Sequence, residues 1–488
     1  MRRGSRPERV EWAVVAGAGA ASLALNLATA TRFPIPWLDE VMFTDPAANL
    51  LLGRGFTSCA WPTQPCDAFW AGYPPLYPAL LFVWMRCFGL GPLAVRSLDY
   101  VLAVVAVSLL WLAVARLALV TTRRARLWLV ALVLLGYGMV FDARAARVDC
   151  LGIALVAALL LACSLRPGGR RCAAIALLAF VLPLTGLQLL VYAGLMGVLL
   201  AARGGRALRF ELASGAVGLV GGTAALYAFY AGAGVWPAFV NATVGARSIA
   251  GRGLSVAGLS ATLRQYDRSL GGVYKDPSFL VLVTVGVAAY VRSRTPSPAR
   301  SLLAFTLVIA AVVPATLFLS GVYPVYYSWM AYVPLAVGVC AALGDADPRT
   351  ARLVSAGLAL VCAVGLPLVL AWTAVDWADR DHGRVEAALR GAIAPADRVY
   401  LDYAAYYVVK PRAAAVFTDR SLPHLTPVEA ASIDVLVVGP GELEAVTRRI
   451  GGRWRATGTG VHSRPGRDAR VSIWGPRYEL DVYRRAAE

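Results

Sequence analysis

The chain has 488 residues, of which 58% are hydrophobic and 16% charged, and its mean hydropathy is +0.62. That apolar excess is more than a soluble core can bury, so a bilayer must be the solvent for much of the chain. The formal net charge of +18 does not point to nucleic acid, because the arginines cluster in short breaks between long apolar runs and therefore report topology.

Stretches able to cross a hydrocarbon core of ~30 Å fall near 11–30, 96–119, 127–141, 150–165, 172–185, 187–202, 211–232, 278–291, 301–320, 325–343 and 352–374, about eleven spans. Arg2, Arg3, Arg6 and Arg9 precede the first. Arg123/Arg124/Arg126, Arg166/Arg170/Arg171, Arg203/Arg206/Arg209, Arg292/Arg294/Arg300 and Arg349/Arg352 fill alternate breaks. The positive-inside rule makes these breaks and the N-terminus cytoplasmic, and puts 31–95, 142–149, the turn near 186, 233–277, 321–324 and the tail after 375 on the other side. Nearly every basic residue is Arg, Lys275 and Lys410 being the exceptions, a bias that fits a GC-rich bacterial coding sequence and hence a bacterial plasma membrane. The N-terminus also has the form of a signal peptide with Ala28-Thr29-Ala30 as cleavage site, but its apolar stretch is long for one and is read as a retained span. Leu76 to Leu90 is read as a helix lying in the interface: it opens on Pro74-Pro75, carries Pro78 and Arg86, and as a crossing would reverse every later Arg cluster. A true hairpin there is the alternative.

In the first outer loop Cys59 and Cys66 bracket C-A-W-P-T-Q-P-C, as a disulfide or as two unpaired thiols. The other six cysteines read as small core residues. After Asp376 charges become frequent and apolar runs shorten. His382–Ile393 and Gly441–Ile450 have helical spacing. R-V-Y-L-D-Y, A-A-V-F-T-D and I-D-V-L-V-V-G read as strands, with Arg453–Val461, Val471–Trp474 and Tyr478–Tyr483 closing a small α/β domain. The division is thus 1–375, a membrane domain, and 376–488, an extracytoplasmic soluble domain. G-P-G-E-L-E lacks the dinucleotide spacing, so no cofactor is assigned.

All three histidines lie in that tail, which leaves acid/base work near the membrane to carboxylates. Asp39-Glu40 follows F-P-I-P-W just beyond the first span, as a solvated acidic turn or as a reactive pair. Asp45-Pro46 reads as the N-cap and first residue of a short helix through 47–52. In F-D-A-R-A-A-R-V-D, helical continuation would put Asp142 with Asp149 on one face and Arg144 with Arg147 on another. These charges either neutralise one another or bind an anionic head group. The outer segment 233–277 carries Arg247, Arg252, Arg264, Arg268 and Lys275 against Asp267 and Asp276. A basic excess on that side suits phosphate, which Arg meets with planar bidentate donors, unless the loop is simply solvated.

Taken in order, W-L-D-E with P-A-A-N-L-L-L-G-R-G-F, then G-Y-P-P-L-Y-P-A-L-L, C-F-G-L-G and A-V-R-S-L, resembles the first outer loop of GT-C glycosyltransferases. The likeness is to the family 39-like branch of protein O-mannosyltransferases and lipid A aminoarabinose transferases. A-R-V-D resembles that branch's Arg-x-acid after the third span, and Y-P-V-Y-Y-S-W-M-A-Y-V-P its tyrosine-bearing approach to a late span. The resemblance covers roughly the first third of the chain closely and the remainder by layout. It implies a polytopic α-helical bundle with interfacial helices in the first outer loop, an extracytoplasmic site, a polyprenyl-phosphate sugar donor and a lipid, glycan or protein acceptor. It also implies Asp39 as the catalytic carboxylate, Glu40 as its neighbour, Asp149 as the second acidic position, and Tyr326 or Tyr327 near the donor phosphate. The first outer loop has no Lys and no basic residue just precedes Tyr323, so phosphate neutralisation falls to Arg54, Arg86, Arg147 or the loop with Arg247, Arg252 and Lys275. A divalent metal bridging Asp39 and Asp149 is conceivable, but two carboxylates are a weak metal signature and none is assigned. A transporter or lipid flippase is the competing class, which calls for paired repeats that the sequence does not display.

Overall fold

A computed structural model describes residues 8–203, 208–245, 277–293, 295–319, 327–463 and 477–486. Its helices in chain order are α1 (Arg9–Thr29), α2 (Leu38–Leu51), α3 (Leu76–Phe88), α4 (Pro92–Arg116), α5 (Arg123–Leu135), α6 (Val140–Arg144), α7 (Asp149–Ala162), α8 (Gly169–Thr185), α9 (Leu189–Arg203), α10 (Leu208–Gly232), α11 (Trp236–Val240), α12 (Pro277–Arg292), α13 (Pro298–Leu319), α14 (Trp329–Asp345), α15 (Pro348–Ala363), α16 (Leu366–Val375), α17 (His382–Leu389), α18 (Tyr406–Val409), α19 (Pro427–Ala431) and α20 (Leu443–Ile450). Each apolar stretch of the sequence carries a helix. Five segments, Arg9–Thr29, Pro92–Arg116, Leu208–Gly232, Pro298–Thr316 and Pro348–Val375, are long and apolar enough to cross a membrane. Among the described residues that is fewer than the apolar runs suggest, because other apolar helices, Leu76–Phe88, Asp149–Ala162, Pro277–Arg292 and Trp329–Asp345, have only 10–17 residues.

The bundle is tied at one end by charge. Glu11 on α1 is fully buried, and its carboxylate accepts two bonds of 2.7 Å from Arg126 of α5 and one of 2.7 Å from the Trp111 indole of α4. A buried carboxylate needs such partners, so α1 is keyed to α4 and α5. Helices α8 and α10 pack closer than ordinary side chains permit. A Cβ on Gly218 would lie 2.2 Å from the Ala176 carbonyl oxygen, and one on Gly222 2.0 Å from that of Phe180. Glycine there lets two helix backbones touch. Helix α3 has 13 residues, about 20 Å at 1.5 Å per residue, short of a hydrocarbon core of ~30 Å. It buries Tyr77, Leu81 and Met85 while exposing Val83 and Phe88, as an interfacial helix should.

Helix α2 departs from expectation. It runs unbroken through Asp45-Pro46, so Asp45 caps nothing. Its carboxylate instead accepts from the Ser58 hydroxyl, the Cys59 N–H and the Tyr406 hydroxyl at 2.8, 2.9 and 2.7 Å, and pairs with Lys410 at 2.6 Å. Those long-range bonds offset the backbone bond an interior proline forfeits. Burial alone would raise the Asp45 carboxyl; the Lys410 ammonium and the hydroxyls of Tyr406 and Ser58 carry it below its ordinary value. Cys59 and Cys66 are disulfide-bonded.

Among the described residues the tail forms a five-stranded sheet of β1 (Arg398–Leu401), β2 (Ala415–Phe417), β3 (Val435–Val438), β4 (Trp454–Val461) and β5 (Leu480–Arg485), in the order β2-β1-β3-β5-β4. β1 pairs in parallel with β2 and β3, while β5 pairs antiparallel with β3 and β4. All four residues of central β3 are buried, which is why its sequence is uninterrupted Val and Leu. The expected strand at Val471–Trp474 lies outside the described residues. One apolar core runs across the seam: Val41, Phe43, Trp70 and Leu98 share a cluster with Val385, Leu389, Val399, Tyr406 and Val437. Polar contacts reinforce it, from Arg32 to the Trp377 carbonyl (2.8 Å) and Asp381 (3.2 Å), and from Arg54 to the Ala413 carbonyl (2.8 Å).

His382 opens α17 at this seam, 8% exposed, with no hydrogen-bond partner for Nε2 among the described residues. Burial, with the Arg96 guanidinium adding to it, pushes the imidazole down to about 4, against the nearby carboxylates of Glu386 and Asp381. The unfolded chain takes up this proton near pH 6.5 and the folded chain only near 4. Stability is therefore fully present above pH 6.5 and falls as pH drops toward 4, by up to about 3 kcal/mol. In His382→Gln that part of the slope should vanish, which melting midpoints in detergent between pH 4 and 7 would reveal.

Candidate active site

Two carboxylates sit in the first turns of separate helices, where the exposed N–H groups favour negative charge. Asp39 is in the first turn of α2 and Asp149 begins α7. The Arg147 guanidinium joins them: Nη1 donates to Asp39 Oδ2, and Nε donates to Asp149 Oδ2 at 2.9 Å. Asp149 is wholly buried, and its other oxygen accepts the Trp329 indole N–H at 2.9 Å from the first residue of α14. Asp39 alone of the three keeps an exposed edge, its side chain 13% accessible against 1% for Arg147 and 0% for Asp149.

The helix expected through 142–149 is broken. α6 stops at Arg144, and Ala146 adopts a left-handed φ of 44° before α7 begins. The break turns the Arg147 N–H onto Asp99 of α4, whose Oδ2 accepts it at 2.7 Å, while the Tyr77 hydroxyl donates to Asp99 at 3.1 Å. It also sends the two arginines to different places. Arg144 binds Asn26, Thr29 and the Phe33 carbonyl at the end of α1, so it has no part in the Asp39 group. Around Arg147 stand the rings of Phe43 (5.5 Å) and Tyr327 (5.6 Å), a cation held between π faces. The Tyr73 hydroxyl, within electrostatic reach of Arg147 and Asp149, donates to the Gln188 side chain at 2.5 Å.

The other sequence candidates fall elsewhere. Glu40 is fully buried and takes Arg96 in two bonds of 2.9 and 2.6 Å plus the Tyr407 hydroxyl at 2.8 Å; it faces the interior between α2, α4 and the sheet domain. Arg54 is committed to that domain, and Arg86 is exposed at the end of α3. Arg247, Arg252, Lys275 and Tyr326 lie outside the described residues. Of the tyrosine pair, Tyr327 is the one seen against Arg147. Sequence reasoning missed Asp99, Trp329, Tyr73 and Gln188. A carboxylate inside an apolar helix was the available signal for Asp99; the other three carried none.

No protein-family model and no curated protein sequence matches the chain. Solved structures do. The arabinofuranosyltransferase AftD from Mycobacteria matches with a TM-score of 0.53 at 16% identity, over 100% of this chain and 40% of that one. The apo oligosaccharyltransferase from Archaeoglobus fulgidus gives 0.53 at 11% identity, over 90% of this chain and 71% of its own. Apo ArnT from Cupriavidus metallidurans gives 0.44 at 14%, over 96% and 98%. The structural neighbours are thus GT-C glycosyltransferases, and this chain has their membrane fold while spanning two fifths of the length of the first.

Proposed function

We propose that this integral membrane protein is a glycosyltransferase that moves a sugar from a polyprenyl-phosphate donor to a hydroxyl acceptor, with inversion at the anomeric carbon. The observation that carries the reading is the Asp39–Arg147–Asp149 group, a partly accessible carboxylate touching a guanidinium that a buried carboxylate and an indole fix in place. Transfer by one displacement needs this pairing. The acceptor oxygen bonds to the anomeric carbon as the carbon–phosphate oxygen bond breaks. Its proton passes to Asp39, and the bond electrons leave with the polyprenyl phosphate, whose growing charge Arg147 meets. Asp149 and Trp329 keep the guanidinium aimed, and Tyr327 stands beside the same cation. Tyr326 and the loop bearing Arg247, Arg252 and Lys275 are further candidates for the phosphate. Glu40 enters as a support of Asp39. The GT-C fold and the resemblance of W-L-D-E and its neighbours to that superfamily favour this chemistry over solute transport.

The reading puts the reacting end outside the cytoplasm. Glu11 and Arg126 mark the opposite end of α1 from Asp39, and Arg123 and Arg124 lie with them, as the positive-inside rule asks of a cytoplasmic face. The test is reconstitution in liposomes with farnesyl-phosphate-linked mannose, arabinofuranose and aminoarabinose, following release of polyprenyl phosphate in the presence of envelope lipid, glycan and peptide acceptors. Release and a new glycoside are expected for one of these donors. Movement of an entrapped solute or lipid with no glycoside formed would replace the transferase with a conduit.

A further inference from the structure

The sheet domain reaches α2 with one short segment. After β1 the chain folds into a single turn followed by a helical turn, Tyr406–Val409, which Lys410 closes. Tyr407 donates to Glu40 at 2.8 Å and lies 3.4 Å from the Thr44 hydroxyl. Tyr406 donates to Asp45, and Lys410, 2% exposed, pairs with the same carboxylate. Glu40 and Asp45 are five residues apart on α2, so their side chains stand about 7.5 Å apart along its axis and roughly 140° apart around it. Two polar grips on different sides of a helix fix its rotation as well as its depth. Asp39 is the residue next to Glu40, and its contact with Arg147 depends on that rotation. A turn of α2 by ~10° would swing a carboxylate tip by ~1 Å, and misplacement on that scale costs up to ~100-fold in rate.

The apolar core across the seam would already hold the domain down. A buried ammonium and three buried acceptor bonds add little net docking energy for the desolvation they require, and such groups are best used to set register. We infer that Tyr407 and Lys410 are positioning residues for Asp39, so that the C-terminal domain is a working part of the reaction site and not only its cover. The inference rests on the glycosyl-transfer reading above.

Full-length Tyr407→Phe and Lys410→Met proteins would be assayed with the same donor panel, beside Asp39→Asn. Tyr407→Phe keeps the ring and its packing, so its melting midpoint should stay near that of the parent chain. Its kcat should nevertheless fall by about tenfold with the donor KM within about twofold, since the hydroxyl steers the reacting carboxylate and does not hold the lipid. Glu40→Gln combined with Tyr407→Phe should lose no more than the worse single variant, because both break one linkage. Hydrogen exchange at the amides of 38–45 should rise in Tyr407→Phe, an arm that needs no donor. Parent-like kcat in Tyr407→Phe while Asp39→Asn is inactive would overturn the inference, as would unchanged exchange in α2. Activity retained by Asp39→Asn would instead remove the transfer reading itself.

Discussion

Asp39→Asn should reduce turnover by about a thousandfold while leaving the fold and the lipid site intact. Asparagine has the same shape and keeps an oxygen for the Arg147 Nη1 donor, so the α2 contact survives. What it lacks is the basic lone pair that takes the acceptor's proton, a contribution usually of ~100- to 10,000-fold. A second consequence separates this loss from misfolding. The carboxylate competes with an incoming phosphate for the guanidinium; once it is neutral, undecaprenyl phosphate should bind at least as tightly as before. The rise in melting midpoint on adding undecaprenyl phosphate gives a readout of that binding. An Asn variant working within tenfold of the parent chain would remove Asp39 from the chemistry.

Arg147 should be the least replaceable side chain of the group. It bonds two carboxylates, packs between two rings and is 1% exposed. Arg147→Met would leave Asp149 buried without its cation, a change that costs about 3–5 kcal/mol, so a large drop in melting midpoint and poor yield are expected. Arg147→Lys keeps the charge but offers a single point donor where a planar fork spans Asp39 and Asp149. It should fold, bind undecaprenyl phosphate more weakly and lose about a hundredfold or more in turnover, the scale of removing one donor from a developing oxyanion. A Lys variant with parent-like binding and rate would show that some other cation meets the phosphate.

The apolar helices and the strands of the sheet, β4 and β5 included, were legible because hydropathy and strand-length apolar runs act locally. Asp39 and Asp149 were legible through their resemblance to a known arrangement, and Arg147 through its place in A-R-V-D. That they share one site followed from the same resemblance, but the geometry of their meeting was not legible, since it depends on Ala146 breaking the helix and on Asp99 capturing the Arg147 N–H from another element. Asp45 shows the opposite failure. Its Asp-Pro context is a fair local signal for a helix start, yet contacts with Lys410 and Tyr406, more than 350 residues away, overrode it. Glu40 likewise looked like half of a reactive pair because adjacency in sequence carries no information about which side of a helix faces a cavity. Neighbours on a helix point about 100° apart, one here toward Arg147 and the other toward Arg96 and Tyr407.

The backbone contact at Gly218 and Gly222 has a bearing on how the protein is made. The glycines belong to α10, so α8 is made before the helix that lies against its Ala176 and Phe180 carbonyls, and α9 comes between the two in the chain. Until those intervening residues are synthesised, that face of α8 is without α10. The pair can therefore close only after α9 has been made, so a chain stalled between these two helices would present the membrane's quality-control machinery with an unfilled seam, however well the Asp39–Arg147–Asp149 group had formed.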